Sequence, residues 1–289
     1  GLGETKKCLN LSILINVLHF VASFVFINIL KLDIMGSALS LNLARLVGGM
    51  AAVLMLISKK SSIEIRPRHV FRIDWRIQKE IFRIGIPCGM EQLFMNGGAM
   101  LVQVYIAKLG TASVAANAVS NTIAVFQTLP GMAIGNAVLT VSAQCAGAGD
   151  YEQVKYYAKK LHIIIYGLMI VCCLGVIAAL PAVLHVYSLS AEATAMTEDI
   201  IVYHGICCMI IWPIAFNLPN VLRASNDVAF CMILSILSMW ICRIGMSYVL
   251  GVRMGFGVFG VWVAMTMDWV VRAIFFVLRY RSGKWQHQT

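Results

Sequence analysis

LHIIIYGLMIVCCLGVIAALPAVL, residues 161–184, contains no Asp, Glu, Lys or Arg. As an α-helix rising 1.5 Å per residue, such a run covers the roughly 30 Å of a bilayer's hydrocarbon core. Its backbone amides and carbonyls would find no water there, so it must satisfy them internally as a helix. Seven further apolar runs, each with no more than two charged residues, surround it, at 8–30, 34–57, 84–107, 112–146, 200–222, 228–252 and 254–278. The whole chain of 289 residues is 60% hydrophobic and only 12% charged, which excludes an ordinary soluble domain. The expected class is an all-α polytopic membrane protein with eight transmembrane helices.

The run at 112–146 is too long for one straight crossing, and Pro130-Gly131 can break it. Charge placement decides how to count it. Read as one kinked span, it puts seventeen Lys and Arg on the side of the first residues and three, Lys31, Lys108 and Arg253, on the other. Splitting it would carry Lys155, Lys159 and Lys160 to the sparse side, against the positive-inside tendency. One kinked span with both ends cytoplasmic is therefore expected. The net charge of +10 follows from this topology and from anionic lipid, since the basic residues are spread over loops with no nucleic-acid module around them. Nine cysteines lie in or beside spans without metal-ligand spacing and read as reduced packing residues.

GETKKCLNLSI (3–13) and NDVAFCMILSI (226–236) share Cys, Leu, Ser and Ile in register and set Glu4 opposite Asp227. Both run outward from the cytoplasmic side, as parallel repeats would. If the repeat holds, the first span matches the fifth of a six-span unit beginning at Ile84, and four spans are expected before Cys8. Between 59 and 83 lies a basic connector. Its second half sets Val70, Ile73, Ile77, Ile81 and Ile84 on one helical face, the pattern of a helix lying in the inner interface or of a solvated linker.

GIPCGMEQLF, LGTASVAANAVSNTI, AQCAGAGDYEQVKYYAKK, VLRASND and GVWVAMTMDWVVRAIFFVLRYRSGKW, in this order, resemble the MATE family of multidrug and toxic-compound extrusion transporters. The resemblance implies twelve helices in two six-helix lobes forming an inverted V, and exchange of an organic cation, drug or toxic metabolite for H⁺ or Na⁺. On that implication, 1–58 holds the last two helices of the N-terminal lobe and 84–289 the complete second lobe. It further implies a monomeric plasma-membrane transporter with no catalytic activity, no cofactor and no metal centre.

Glu91 is the only acid or base in its span. A carboxylate facing lipid there would be expensive, so it faces the bundle interior. The resemblance matches it to the acid early in the family's seventh helix that serves cation coupling and substrate binding; a glutamate that merely holds neighbouring helices is the bland alternative. Gln92, Asn96 and Gln103 follow on the same span, and Asn117 and Asn121 form a polar stripe at i and i+4. These, with Trp212, Asn217 and Asn220, are candidates for a substrate cavity, or for hydrogen bonding between helices. The run at 200–222 carries Pro213 and Pro219 and should be interrupted twice. It lacks the acid that some sodium-dependent relatives use in the equivalent helix. Asp268 and Arg272, at i and i+4, should pair, with Arg243 a third member of a structural charge network. Trp212, Phe216, Trp240 and Tyr248 are candidates to stack on a cation or to pack, and His204 and His185, near the outer ends of their helices, read as interfacial or satisfied histidines. GAGDYEQVKYYAKK lacks the P-loop pattern, so nucleotide binding is not expected. Three rivals stand beside this reading: a lipid-linked oligosaccharide flippase, for which three arginines within spans are few; a membrane enzyme, for which no motif appears; and a channel, allowed by topology, for which nothing resembles a selectivity filter.

Overall fold

The computed structural model describes residues 5–57 and 74–287, and they are overwhelmingly helical. The chain divides into two compact units, Gly1–Gln78 and Lys79–Thr289. Residues 58–73, with most of the expected connector, lie outside the described residues.

The first unit is a hairpin of α1 (Thr5–Phe24), which continues through a π-helical turn at Val25–Ile29, and α2 (Asp33–Ile57). The helices pack closely because α2 carries small residues: a Cβ on Gly48 would lie 2.4 Å from Cδ1 of Ile15, so only glycine admits that side chain. Ser23 and Ser40 hydrogen-bond across the pair at 2.8 Å. The outward faces, including Phe20, Phe24 and Leu46, are exposed, as an apolar hairpin made for lipid or for further helices would leave them.

The second unit is a bundle of α3 (Trp75–Ala107), α4 (Thr111–Gly147), α5 (Tyr151–Tyr187), α6 (Ala191–Ile210), α7 (Trp212–Ala224), α8 (Val228–Ser238) and α9 (Gly257–Arg281). Past α8 the helix continues in π geometry through Met239–Gly245 and Ser247–Arg253. Asp150 and Ser190 cap α5 and α6, accepting from the amides of Gln153 (3.0 Å) and Ala193 (3.3 Å). After α9 the chain folds back in a 3-10 turn, Lys284–His287, and seats fully buried Trp285 on Tyr280.

Among the described residues six helical segments are long and apolar enough to cross a membrane, and the bent pair α6 and α7 makes a seventh if taken as one. α3 is not among them, since Glu91, Gln92, Asn96 and Gln103 dilute its apolar content. The run with Pro130 is one 37-residue helix, roughly 56 Å long, so it extends well past a hydrocarbon core. α5 has the same length and starts ten residues before the apolar run at 161, because Lys155, Lys159 and Lys160 are good helix formers that end a span without ending a helix. The expectation of two interruptions in 200–222 is corrected to one. The chain bends by 44° at Ile211 between α6 and α7, whereas Pro219 lies within continuous α7. Pro213 falls in the first turn of α7, where its missing amide would have no partner in any case.

Candidate functional site

Three of the polar clusters among the described residues of the second unit hold the charged and amide candidates. The first joins α3 to α7. Glu91 is 9% exposed, and Arg223 grips it with one nitrogen, Nη2 donating to Oε1 at 2.7 Å and Oε2 at 2.9 Å. Arg223 is itself held in place: its Nη1 donates to Oδ1 of Asn220 (3.2 Å), whose Nδ2 donates to the carbonyl of Gly135 on α4 (3.3 Å). α4 and α7 approach this closely because Gly135 and Gly131 carry no side chain. A Cβ at 135 would meet Oδ1 of Asn217 at 2.2 Å, and one at 131 would meet the Trp212 ring at the same distance. Charge counting placed Arg223 with the inner-loop cations, and only the fold brings it to Glu91.

The second is the fully buried pair on α9. Nε of Arg272 donates to Oδ1 of Asp268 at 2.9 Å, and its Nη2 donates to the carbonyl of Ser235 at 2.9 Å. The i and i+4 spacing forms the expected contact. Arg243 stands near enough to feel both charges but is not bonded to either, and Oδ2 of Asp268 and Nε of Arg243 have no hydrogen-bond partner among the described residues.

The third is a cavity of about 140 Å³ between α3, α4, the π-helical stretch and α9, lined by Gln103, Asn117, Asn121, Arg243, Trp262 and Met265 together with apolar side chains. Nε1 of Trp262 donates to Oδ1 of Asn117 (3.1 Å), Nδ2 of Asn117 donates to Oε1 of Gln103 (3.1 Å), and Nδ2 of Asn121 donates to the carbonyl of Asn117 (2.9 Å).

Of the candidate cavity residues, the fold brings Asn117 and Asn121 to one cavity. Gln92 and Asn96 are exposed on α3 away from it. Asn217 is buried against Gly135 and Asn220 supports Arg223. Trp212 is buried, stacked on Phe216 at 5.0 Å and covering Gly131; Trp240 meets Phe94 and Tyr248 meets Tyr105, so these rings mainly pack on one another. Of the two readings of His204, interfacial or satisfied, the second holds: it is a hydrogen-bonded core residue. Its Nδ1 lies 2.5 Å from Oε1 of Gln127, and its ring sits between the edges or faces of Trp262 and Trp269. Gln127 donates through Nε2 to the carbonyl of Ile201, which makes Oε1 the acceptor and Nδ1 of His204 the donor. Neither Gln127 nor Arg223 was a candidate, since their value lies in partners remote in sequence. Among the described residues no cluster of three His, Cys, Asp or Glu can hold a metal ion.

Comparison with known proteins agrees with this architecture. The family model MatE matches residues 87–249, more than half of the chain. The uncharacterized transporter YisQ of Bacillus subtilis is 26% identical over 98% of this chain and 63% of its own length. The probable multidrug resistance protein NorM of Thermotoga maritima is 21% identical over 99% and 62%. The chain thus spans somewhat over three fifths of these relatives. Among solved structures, a MATE protein in its straight conformation aligns with a TM-score of 0.83 at 18% identity, covering 97% of this chain and 63% of that one. An outward-facing multidrug resistance MATE transporter of the MOP superfamily aligns equally well at 20% identity. With its all-helical membrane architecture and this family match, the chain belongs to the MATE family of transporters.

Proposed function

We propose that the protein containing this chain is a secondary active antiporter that exports organic cations, drugs or toxic metabolites in exchange for H⁺ or Na⁺ by alternating access. In this reading residues 1–58 are the last two helices of one six-helix lobe, 59–83 the cytoplasmic connector and 84–289 the second lobe. Counting α3 and the bent α6–α7 pair as crossings gives eight spans with both ends cytoplasmic, in a monomeric twelve-helix protein of the plasma membrane. The names of the NorM relatives, probable multidrug resistance proteins, support the substrate class.

The observation that carries the reading is the Glu91–Arg223 pair, with its acid on α3 and its base on the helix that follows the 44° bend. A proton or Na⁺ arriving at Glu91 cancels the charge that holds Arg223. Arg223 is then free to move, and α7 with it. An organic cation entering from the inside displaces the bound proton or Na⁺, and reprotonation or cation binding from the outside weakens its hold and releases it. The flippase alternative is less favoured, since the relatives are named as probable multidrug resistance proteins and the three arginines within spans are few for a lipid pyrophosphate.

The test is flux in liposomes holding the full-length protein, with a fluorescent organic cation under an imposed H⁺ or Na⁺ gradient. Movement that follows one gradient and is lost in Glu91→Gln is the expected result. No movement under either gradient, with protein still folded, would sink the antiporter.

A further inference from the structure

The exchange cycle leaves unused the cavity lined by Gln103, Asn117, Asn121, Arg243 and Trp262. We infer that this cavity is an anion subsite, which seats the carboxylate of a small organic solute against Arg243 and Gln103. The inference rests on the transporter reading and narrows its substrates to molecules that carry a carboxylate besides any cationic centre.

Three observations meet here. The first is charge: two guanidiniums, Arg243 and Arg272, stand by one carboxylate, Asp268, and that carboxylate is engaged by Arg272. Arg243 lines the cavity, its Nε has no hydrogen-bond partner, and no ion pair holds it among the described residues. A guanidinium within a bundle is costly without an anion, and no acid lines this cavity to provide one.

The second is the direction of the amides. An indole N–H can only donate, so the Trp262 contact fixes Oδ1 of Asn117 as acceptor and its Nδ2 as the donor to Oε1 of Gln103. Gln103 is thereby left with its NH₂ group uncommitted. Arg243 and the oriented amide of Gln103 thus turn donors to the cavity, the complement of a carboxylate, beside one acceptor, Oδ1 of Asn121, whose Nδ2 is spent on the Asn117 carbonyl.

The third is size. At about 140 Å³ the cavity holds roughly four or five waters, each taking about 30 Å³ of liquid. It suits a carboxylate with a short chain or a ring, and is below the roughly 300 Å³ at which pockets begin to enclose a drug-sized ligand. It is therefore a subsite for one end of a molecule.

The experiment titrates purified full-length protein with benzoate, tetramethylammonium and chloride, and follows tryptophan fluorescence, to which Trp262 contributes from the cavity wall. Benzoate should give a saturable change, at least tenfold weaker in Arg243→Gln and in Gln103→Leu. The second variant sits at an exposed position, so it tests the subsite should Arg243→Gln fail to fold. A saturable response to tetramethylammonium in place of benzoate would overturn the inference. Benzoate binding that is unchanged in both variants would do the same, as would chloride binding that benzoate cannot displace. Because this assay reads binding, its failure leaves cation flux in liposomes untouched, and a failure of flux leaves benzoate binding to be read by itself.

Discussion

Two ion pairs in the second unit use the same chemistry to opposite ends. Asp268 and Arg272 lie one turn apart on α9, with side chains 0% and 3% exposed. Glu91 and Arg223 are separated by 132 residues and join α3 to α7, with side chains 11% and 23% exposed. The local pair needs only its own helix to exist, so it persists through any movement that leaves α9 intact. The long-range pair exists only while α3 and α7 hold their present positions. The difference separates a contact that neutralises charge within a helix from one that reports how helices are arranged, and it is the second on which the proposed coupling of ion to movement rests.

Predictions that break or sharpen this contrast can be ranked by their effect on stability. Asp268→Ala strands Arg272 in the core and should cost about 3–5 kcal/mol, read as a large fall in the thermal unfolding midpoint in detergent. Replacing both partners, Asp268→Leu with Arg272→Met, should recover much of that loss, because apolar side chains of similar volume carry no buried charge. A mild effect of Asp268→Ala would show that the pair is not the insulated contact described. Gly135→Ala sets a methyl 2.2 Å from Oδ1 of Asn217 and should cost about 1–3 kcal/mol by overpacking. Since it displaces α7, it should also impair cation flux, which Asp268→Leu with Arg272→Met should spare.

Trp262→Phe removes the donor that orients Asn117 and should cost about 1 kcal/mol while weakening benzoate binding; a variant that binds benzoate normally would break the amide chain. Glu91→Gln should have a smaller effect on stability than Asp268→Ala, because the amide keeps an oxygen that can accept from the 23%-exposed Arg223, and yet abolish gradient-driven flux. Arg223→Lys, which keeps the charge but loses the planar guanidinium that also reaches Asn220, should fall between wild type and Glu91→Gln in flux. If Glu91→Gln were as damaging to folding as Asp268→Ala, the two pairs would be doing the same structural task.

How much of this could be read along the chain depends on the distance between partners. Asp268 and Arg272 were legible because helical spacing alone brings i and i+4 together. Asn117 and Asn121 were legible as a stripe for the same reason. Glu91 was legible as an acid that must face inward, but its partner was not: Arg223 follows an apolar run and counts, by position, with the loop cations. His204 was legible only as interfacial or satisfied. It lies well inside α6, and its burial comes from Gln127 on α4 and from Trp262 and Trp269 on α9. Nothing local to either residue signals such contacts.

The sequence by itself determined that the chain is helical and made for a bilayer, because apolar runs of about twenty residues or more, with few charges among them, leave the backbone no other way to satisfy its polar groups in lipid. It also determined which side chains are too polar to face that lipid. Only the tertiary structure decided which of them meet. Glycines 131 and 135 let α4 and α7 approach, the single bend at Ile211 sets the direction of α7, and Trp262 turns the amides of Asn117 and Gln103. These are properties of surfaces formed by residues far apart in the chain, and helical periodicity carries no information about them.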